Sequence, residues 1–339
     1  MINKEFKLFS NCLTVKGLNR GVIIDVQRKT YHVFSNQIID FVNEYSGEKI
    51  YNLFNDFKEY KVILKKYMQY FLDNELAIIT NDSSQFPAIS HSFDRPYSID
   101  TIILDMNLSK ESISDLLKLK VDDLGISCLK LVAEVFDEKK TIEILRLLET
   151  TKIKTIVIFI KYTKGIENKV LRFDSKFSRL VEIVFYNVDG LDLLKGWAGK
   201  KFVYEKKSLN EILTMKVQNQ DDFVLNLEAF NESLIYNSAY NRTIYIDENG
   251  NVKRYLGDKL SFGHIDYVDL NNVVENEGFS EFWKITKDKI TICRDCEFRY
   301  ICPDGSIPFK QKDTDLFFST NLKCNYDPYK NEWLNLNNN

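Results

Sequence analysis

Several residue types that mark common classes of site and structure are scarce in this 339-residue chain. It has only 3 histidines and 5 prolines. No apolar run approaches the roughly 18 residues of a membrane span. The net charge is −3, from 46 Lys and Arg against 49 Asp and Glu, which gives no sign of a nucleic-acid or membrane-surface partner. Neither a P-loop nor a G-x-G-x-x-G motif occurs, so ATP binding by this chain is not expected.

The few candidate catalytic side chains are dispersed. His32, His91 and His264 fall in a predicted strand, a linker and a loop, where each is expected to be structural or exposed. Asp105 and Glu134 end predicted strands, where barrel enzymes gather carboxylates, although solvated acids are the simpler interpretation. No residue is therefore assigned a catalytic role. The N-terminus lacks the apolar segment of a signal peptide, and a cytoplasmic location is expected.

The cysteines, in contrast, are concentrated. Four of the six lie between residues 293 and 324 with the spacing C-x2-C-x5-C and a fourth member 22 residues later: Cys293, Cys296, Cys302 and Cys324. A thiolate pair two residues apart can chelate a metal from one turn, and the other two would complete a four-thiolate shell. Free thiols or two disulfides are the alternatives, and disulfides suit a cytosolic protein poorly. Ligand type alone admits zinc or a [4Fe–4S] cluster.

Residues 4–80 have the pattern of one small unit. Short apolar runs occupy 6–9 and 12–15, and strands are predicted at 20–26 and 31–34. Helices are predicted from an N-cap at Ser35 or Asn36 through 45, at 49–55 and at 59–73, and a closing strand at 76–79. Strands followed by three helices and a strand indicate a winged helix. A DNA-binding winged helix or a structural cap is the alternative, and DNA binding is disfavoured because Lys65 and Lys66 have mostly apolar and acidic neighbours.

The middle of the chain alternates strands with helices. Residues 83–96 hold two prolines and form the predicted linker. Beyond it, strands are predicted at 99–106, 125–132, 154–160 and 180–186, with shorter ones at 202–204 and 222–227, and helices at 109–120 and 137–149. This alternation predicts parallel βα units in a partial barrel. Asn-Gly within Asp247–Gly250 predicts a hairpin.

The segment Thr291-Ile-Cys-Arg-Asp-Cys-Glu-Phe-Arg-Tyr-Ile-Cys302 resembles the core of a SPASM domain, the cluster-binding extension of radical SAM peptide-modifying enzymes. The family pattern carries two iron–sulfur clusters on C-x(9–15)-G-x4-C, then C-x2-C-x5-C-x3-C, then a last C. Here the first half would be Tyr240-x9-Gly250-x4-Tyr255, and the fourth cysteine of the second half falls at Ser306. The resemblance implies that one cluster site is lost as a unit. It implies that the other is kept on the four cysteines, holding a [4Fe–4S] cluster, with zinc as the alternative.

The radical chemistry of that family does not carry over. It needs C-x3-C-x2-C after the first barrel strand, and the corresponding loop here, Asp105-Met-Asn-Leu-Ser-Lys-Glu-Ser112, has no cysteine. Cys128 lies in a predicted apolar strand and is expected to be a structural thiol.

Residues 236–334, with SFGHI, CRDCEFRYICPD and KCNYDPYKNEW, closely resemble the SPASM protein of grasp-with-spasm systems. That protein resembles a radical SAM–SPASM protein that has lost its radical cluster. In these RiPP biosynthesis systems it is encoded beside an ATP-grasp ligase and a short precursor peptide. The N-terminal unit in turn resembles the RiPP recognition element, which binds a leader peptide by strand addition at a sheet edge beside a helix groove. That edge would lie near 22–26 or near 31–33. The candidate peptide-binding residues are therefore Val22, Ile24, Tyr31 and Val33, with Lys66, Tyr67 and Tyr70 in the groove.

The predicted architecture is α/β, with a winged-helix unit at 1–82, a degenerate partial (β/α) barrel at 97–235 and a cysteine-rich SPASM-like domain at 236–339. The predicted function is a maturation factor that binds a precursor peptide and presents it to an ATP-grasp ligase, which closes side-chain ester or amide links. A metal-cluster-dependent peptide-modifying enzyme and a metal-stabilised peptide-binding module are the alternatives. Residues 4–80 are expected to bind the leader when expressed alone.

Overall fold

The computed structural model describes residues 3–170, 173, 176–189, 201–312, 318–320 and 324–334. The predicted domain ends at residues 1, 2 and 335–339 lie outside the described residues. No helix in the described part of the chain is both long enough and apolar enough to cross a membrane.

The N-terminal unit follows the predicted order of strands, helices and closing strand. Its elements are β1 (Glu5–Leu8), β2 (Cys12–Lys16), β3 (Arg20–Asp25), β4 (Thr30–Ser35), α1 (Asn36–Tyr45), α2 (Ile50–Asp56), α3 (Lys61–Asp73) and β5 (Ala77–Thr80). Strands β2, β3 and β4 form an antiparallel sheet in that order, and β1 pairs with β5.

Both faces of β3, the central strand of this sheet, are buried. Ile23 packs with the three helices through residues such as Ile39 and Phe71. The register pairs Val15 with Val22 and Leu13 with Ile24, which places these four side chains on the opposite face. They pack against Phe298, Ile301 and Tyr326 of the cysteine segment, defined here as residues 287–304 and 324–334. The N-terminal unit therefore shares a hydrophobic core with the far end of the chain.

The sheet topology corrects one predicted peptide-binding edge. Strand β3 is central, paired with β2 on one side and β4 on the other, so its backbone groups are used within the sheet. Val22 and Ile24 are fully buried. The edge predicted at 22–26 is therefore wrong. Strand β4, which carries Tyr31 and Val33, pairs only with β3 among the described residues and is one of the two edge strands, the other being β2.

The middle of the chain forms a seven-stranded sheet in the order β10-β9-β8-β7-β6-β11-β12. Its elements are β6 (Thr101–Asp105), α4 (Lys110–Asp115) continuing as a π-helical turn (Leu116–Lys120), β7 (Cys128–Ala133), α5 (Glu138–Leu148), β8 (Thr155–Lys161), α6 (Glu167–Val170), β9 (Leu180–Tyr186), β10 (Lys201–Tyr204), α7 (Leu209–Leu213), α8 (Leu227–Ile235), β11 (Thr243–Ile246) and β12 (Val252–Lys253). All neighbouring pairs except β11–β12 are parallel, which confirms the α/β class.

Two details differ from expectation. The strand predicted at 222–227 is absent, because the Asn226 side chain accepts a hydrogen bond from the Ala229 backbone and caps α8. Strand β11 pairs with β6, so the sheet continues across the predicted boundary at 235. The predicted hairpin at 247–250 is confirmed, with Gly250 at a φ of +80° between β11 and β12.

The C-terminal part consists of short elements. These are α9 (Leu270–Glu275), α10 (Glu277–Trp283), β13 (Pro308–Lys310), β14 (Phe318–Thr320), β15 (Tyr326–Asp327) and β16 (Glu332–Trp333). Strand β13 pairs with β14, and β15 pairs with β16. The cysteines lie mainly in loops and a 3-10 turn between these elements.

Candidate metal centre and peptide groove

The C-x2-C pair lies on a tight turn. Cys293 begins a 3-10 turn, and its carbonyl accepts a hydrogen bond from the Cys296 backbone at 3.0 Å. Ile292, just before it, has a φ of +70°, a region that β-branched residues rarely adopt. The chain is therefore under local backbone strain where it enters the pair.

The four thiols are free, partly buried and electrostatically linked. Negative charge on Cys324 would raise the pKa of Cys293, and negative charge on Cys302 or Cys293 would raise that of Cys296. Burial raises the pKa of Cys293 to about 11 and the pKa of Cys302 to about 12. Burial also raises the pKa of Cys296 and Cys324. Without metal these groups are protonated near neutral pH, so metal binding would release protons.

Backbone donors point at the sulfur atoms. The Phe298 backbone N–H donates to Cys296 Sγ over 3.4 Å, and the Tyr326 N–H donates to Cys324 Sγ over 3.4 Å. In each case the donor lies two residues after the cysteine. Hydrogen bonds to sulfur stabilise thiolates in metal and cluster sites.

A buried cation lies among the thiols. Lys287 is 9% exposed, and its Nζ donates to the Asp304 carbonyl over 2.7 Å. Burial by itself lowers the pKa of Lys287, but the neighbouring Cys302, Cys293 and Asp304 raise it overall. Lys287 therefore stays charged, and a cation here would offset part of the negative charge of four thiolates.

The chemistry of this donor set fits a four-thiolate centre, since soft sulfur ligands, N–H donors and a compensating cation occur together. The described side chains are not arranged as a complete metal site. Within the described ranges, no group of three or more His, Cys, Asp or Glu side chains is arranged to hold a metal ion. Ligation by the four cysteines therefore stays a prediction.

The positions where the resemblance implied lost cysteines also lie together. The rings of Tyr240 and Tyr255 are 5.9 Å apart, and both pack on Phe282. The Tyr240 hydroxyl donates to the Gly305 carbonyl, next to the buried Ser306. An aromatic cluster thus occupies this place.

A groove of about 690 Å³ lies between the edge strand β4 and helix α3. Four candidate residues line it: Val33, Lys66, Tyr67 and Tyr70. The Tyr70 hydroxyl is hydrogen-bonded to His32 Nδ1 at 2.8 Å, which ties the helix to the strand. The remaining lining residues are Asn19, Arg20, Phe34, Ser35 and Ile63.

Three candidates, Val22, Ile24 and Tyr31, do not line the groove, and the lining includes two polar residues that the sequence did not single out, Asn19 and Arg20. Tyr31 packs on Phe298 with ring centroids 5.3 Å apart, so its ring belongs to the shared core. Asn19, in the β2–β3 turn, and Arg20, the first residue of β3, line the groove. Their only signal in the sequence is their position where a turn meets the strand predicted at 20–26.

The two predicted strand-end carboxylates lie at the carboxyl edge of the large sheet. Burial raises the pKa of Asp105, and the nearby Glu248, Asp247 and Glu134 add to that shift. Glu134 is exposed, and its hydrogen bond from Lys161 at 2.7 Å lowers its pKa. This pattern is that of strand-end acids with local partners.

A second cavity, of about 750 Å³, lies between the amino edge of the large sheet and the cysteine segment. Its walls include Lys130 and Arg242 from the sheet side, Glu232 from α8, and Tyr300 and Cys302 from the cysteine segment. One of the four candidate ligands thus borders an open space large enough for several side chains.

Comparisons with known proteins add little. No family model and no curated protein matches the chain. The crystal structure of Streptococcus suis SuiB bound to S-adenosylmethionine aligns at 11% identity and a TM-score of 0.35, covering 88% of this chain and 95% of that one. The crystal structure of SuiB aligns with the same coverage at 10% identity and a TM-score of 0.26. Superposition at this level does not establish a common fold.

Proposed function

We propose that the chain is a maturation factor for a ribosomally synthesised peptide. The observation that carries the proposal is the groove beside β4, an edge strand with no other partner among the described residues. Backbone groups along such an edge can pair with an added peptide strand, while Val33, Tyr67 and Tyr70 contact its side chains. The N-terminal unit would thus act as a recognition element for the leader of the precursor.

The cysteine segment packs against the face of the N-terminal sheet opposite its helices. In the proposal, Cys293, Cys296, Cys302 and Cys324 hold a [4Fe–4S] cluster, with zinc as the alternative. The bound group would cross-link residues 293–302 to residue 324, and its binding energy would also be folding energy. The aromatic cluster of Tyr240 and Tyr255 is consistent with a SPASM-like segment that keeps one of two sites.

The bond-forming chemistry is assigned to a partner. The loop at 105–112 offers no thiolate for a radical cluster, and the sequence has no nucleotide-binding motif. An ATP-grasp ligase would activate carboxylates of the precursor and close ester or amide links. This chain would bind the leader and hold the core peptide within reach of the ligase.

Binding of the precursor tests this proposal. The probe would be the short precursor peptide that the resemblance implies is encoded beside this chain, added to the full-length protein purified anaerobically. Tyr70→Ala should weaken binding about tenfold, or ~1.4 kcal/mol, because it removes a wall of the groove. Tyr60→Ala is the matched control, since Tyr60 is 59% exposed and outside the groove. Equal affinity of Tyr70→Ala and wild type would contradict the proposed site.

A metal-cluster-dependent peptide-modifying enzyme is the second candidate. It is favoured by the cavity of about 750 Å³ that reaches Cys302, because a peptide side chain there would lie beside the metal centre. Turnover of the precursor by this chain alone, with a reductant, would support it. Formation of 5′-deoxyadenosine from S-adenosylmethionine would overturn the assignment of a lost radical site.

A further inference from the structure

The groove beside β4 carries positive charge without a carboxylate to balance it at the surface. Its lining includes Arg20 and Lys66 and no Asp or Glu. Lys66 is exposed, whereas Lys65 on the same helix lies over the Phe54 ring, 5.7 Å from its centroid and outside the groove. Both cations line the space beside β4 that an added peptide strand would enter.

The guanidinium of Arg20 is oriented by hydrogen bonds to the cysteine segment. Its Nε donates to Glu297 Oε1 over 2.7 Å, and its Nη2 donates to the Tyr326 hydroxyl over 3.0 Å. That hydroxyl donates in turn to Glu297 Oε1 over 2.5 Å. Glu297 is 1% exposed, while Arg20 is 29% exposed. Two guanidinium nitrogens are engaged, and Nη1 makes no hydrogen bond to any described residue.

The β2–β3 turn that precedes Arg20 is hydrogen-bonded to the cysteine segment. The Leu18 backbone N–H donates to the Asp295 carbonyl over 2.8 Å, and Asn19 Nδ2 donates to the Tyr329 carbonyl over 2.7 Å. At Gly17 an added Cβ would lie 2.7 Å from the Glu297 nitrogen, so the two backbones touch. The position of Arg20 is thus set by contacts to the segment that holds the cysteines.

We propose that the groove selects peptide strands that carry a carboxylate side chain, which Lys66 attracts and Arg20 binds through Nη1. This inference rests on the proposed peptide-binding function and names the ligand class of that site. Because Glu297 neutralises part of the Arg20 charge, Lys66 supplies the net attraction and Arg20 a directed, charge-assisted hydrogen bond. Val33 and Ile63 offer apolar contact to neighbouring side chains of the strand. Glu297 is a positioning residue, since it orients Arg20.

Affinity selection of peptides tests the inference. The probe is a pool of terminally blocked random octapeptides, retained on immobilised full-length protein and sequenced by mass spectrometry. Wild type and Lys65→Gln should enrich Asp and Glu at least threefold over the input. Lys66→Gln and Arg20→Met should lose this enrichment while keeping any enrichment of apolar residues, and Arg20→Lys should retain part of it.

The other possible outcomes of the selection separate the inference from the proposed function. Enrichment of apolar residues without Asp or Glu would overturn the inference and leave the proposed peptide-binding function standing. No enrichment of any residue class would overturn both. Glu297→Gln, compared at equal metal content and thermal stability, should reduce acidic enrichment. Unchanged acidic enrichment in that variant would show that Glu297 does not position Arg20.

Discussion

Arg20 on β3 and Glu297 beside Cys296 form an ion pair with a 2.7 Å contact, although 277 positions separate them in the chain. The pair lies at the edge of the core shared by the N-terminal sheet and the cysteine segment. Removal of the segment would expose the buried face that includes Leu13 and Val22. Residues 4–80 are therefore not expected to behave as an independent binding unit, which revises the expectation from sequence.

Phe298→Ala tests the shared core. Phe298 is 2% exposed and packs on Tyr31 and Phe223 at centroid distances of 5.3 and 4.8 Å. Its truncation should reduce the free energy of unfolding by about 3–5 kcal/mol. In hydrogen exchange, β2 to β4 should lose protection together with residues 296–302. Phe309→Ala is the control, because Phe309 is 44% exposed, and an equal loss in both variants would contradict the prediction.

Cys296→Ser tests the metal centre. Wild-type protein purified anaerobically should carry about four irons per chain, because a four-thiolate [4Fe–4S] cluster has that content. The variant should lose the metal and destabilise residues 280–334. Since Cys296 packs against the N-terminal sheet, peptide binding should also weaken.

The matched control for the metal centre is Cys128→Ser, which alters a thiol on β7 outside the cysteine segment and should keep the metal. If wild type contains one zinc and no iron, the bound group is zinc and the cluster assignment is wrong. Full metal content in Cys296→Ser would eliminate the four-cysteine site.

Gly17→Ala tests the contact between the β2–β3 turn and the cysteine segment. The new methyl group would lie 2.7 Å from the Glu297 nitrogen and 2.9 Å from the Asp295 carbonyl, so one backbone must move. The cost of such overpacking is typically about 1–3 kcal/mol. Gly278→Ala is the control: it adds the same methyl group in the first turn of α10, where the nearest atom is a side-chain oxygen of Asn276 at 3.2 Å, and it should change the stability by less than about 1 kcal/mol. Equal thermal stability of the two variants would argue against the contact.

Asp25 gives the N-terminal unit a pH dependence. Burial alone would raise the pKa of this carboxylate, but hydrogen bonds from Arg28, Asn11 and Gln27 outweigh burial and lower it. The folded-state pKa is thus below the unfolded value of about 3.9. The stabilisation is present above pH ~4 and is lost as the pH falls through that value towards the folded-state pKa.

Asp25→Asn should therefore cost about 1–3 kcal/mol at neutral pH, and the difference from wild type should shrink below pH ~4. Urea unfolding at several pH values measures it. Asp40→Asn is the control: Asp40 is 55% exposed in its pair with Lys16, and its loss should cost less than about 1 kcal/mol. A constant difference between wild type and Asp25→Asn down to pH 3 would refute the linkage.

Local pattern was sufficient to predict most elements. Helix α1, predicted to end at Tyr45 after an N-cap at Ser35 or Asn36, is observed at Asn36–Tyr45, because its apolar positions recur with helical spacing after Ser35. The strand predicted at 222–227 failed because Asn226 caps a helix, and a short apolar run does not separate the two states. The α/β class followed from the alternation of strands and helices, which depends on neighbours in the chain.

The element types, the parallel sheet and the four-cysteine spacing could be predicted from the residues alone, since these depend on neighbours in the chain. That β3 is central and β4 an edge became evident only from the folded sheet, because local pattern predicts hairpins but not whether a further strand pairs with the outer side of β4. It also decided that Tyr31 belongs to the core, and that Arg20 lies between the groove and Glu297. The contacts of Tyr31 and Arg20 with the cysteine segment join residues that are far apart in the chain, and the local pattern of polarity does not predict them.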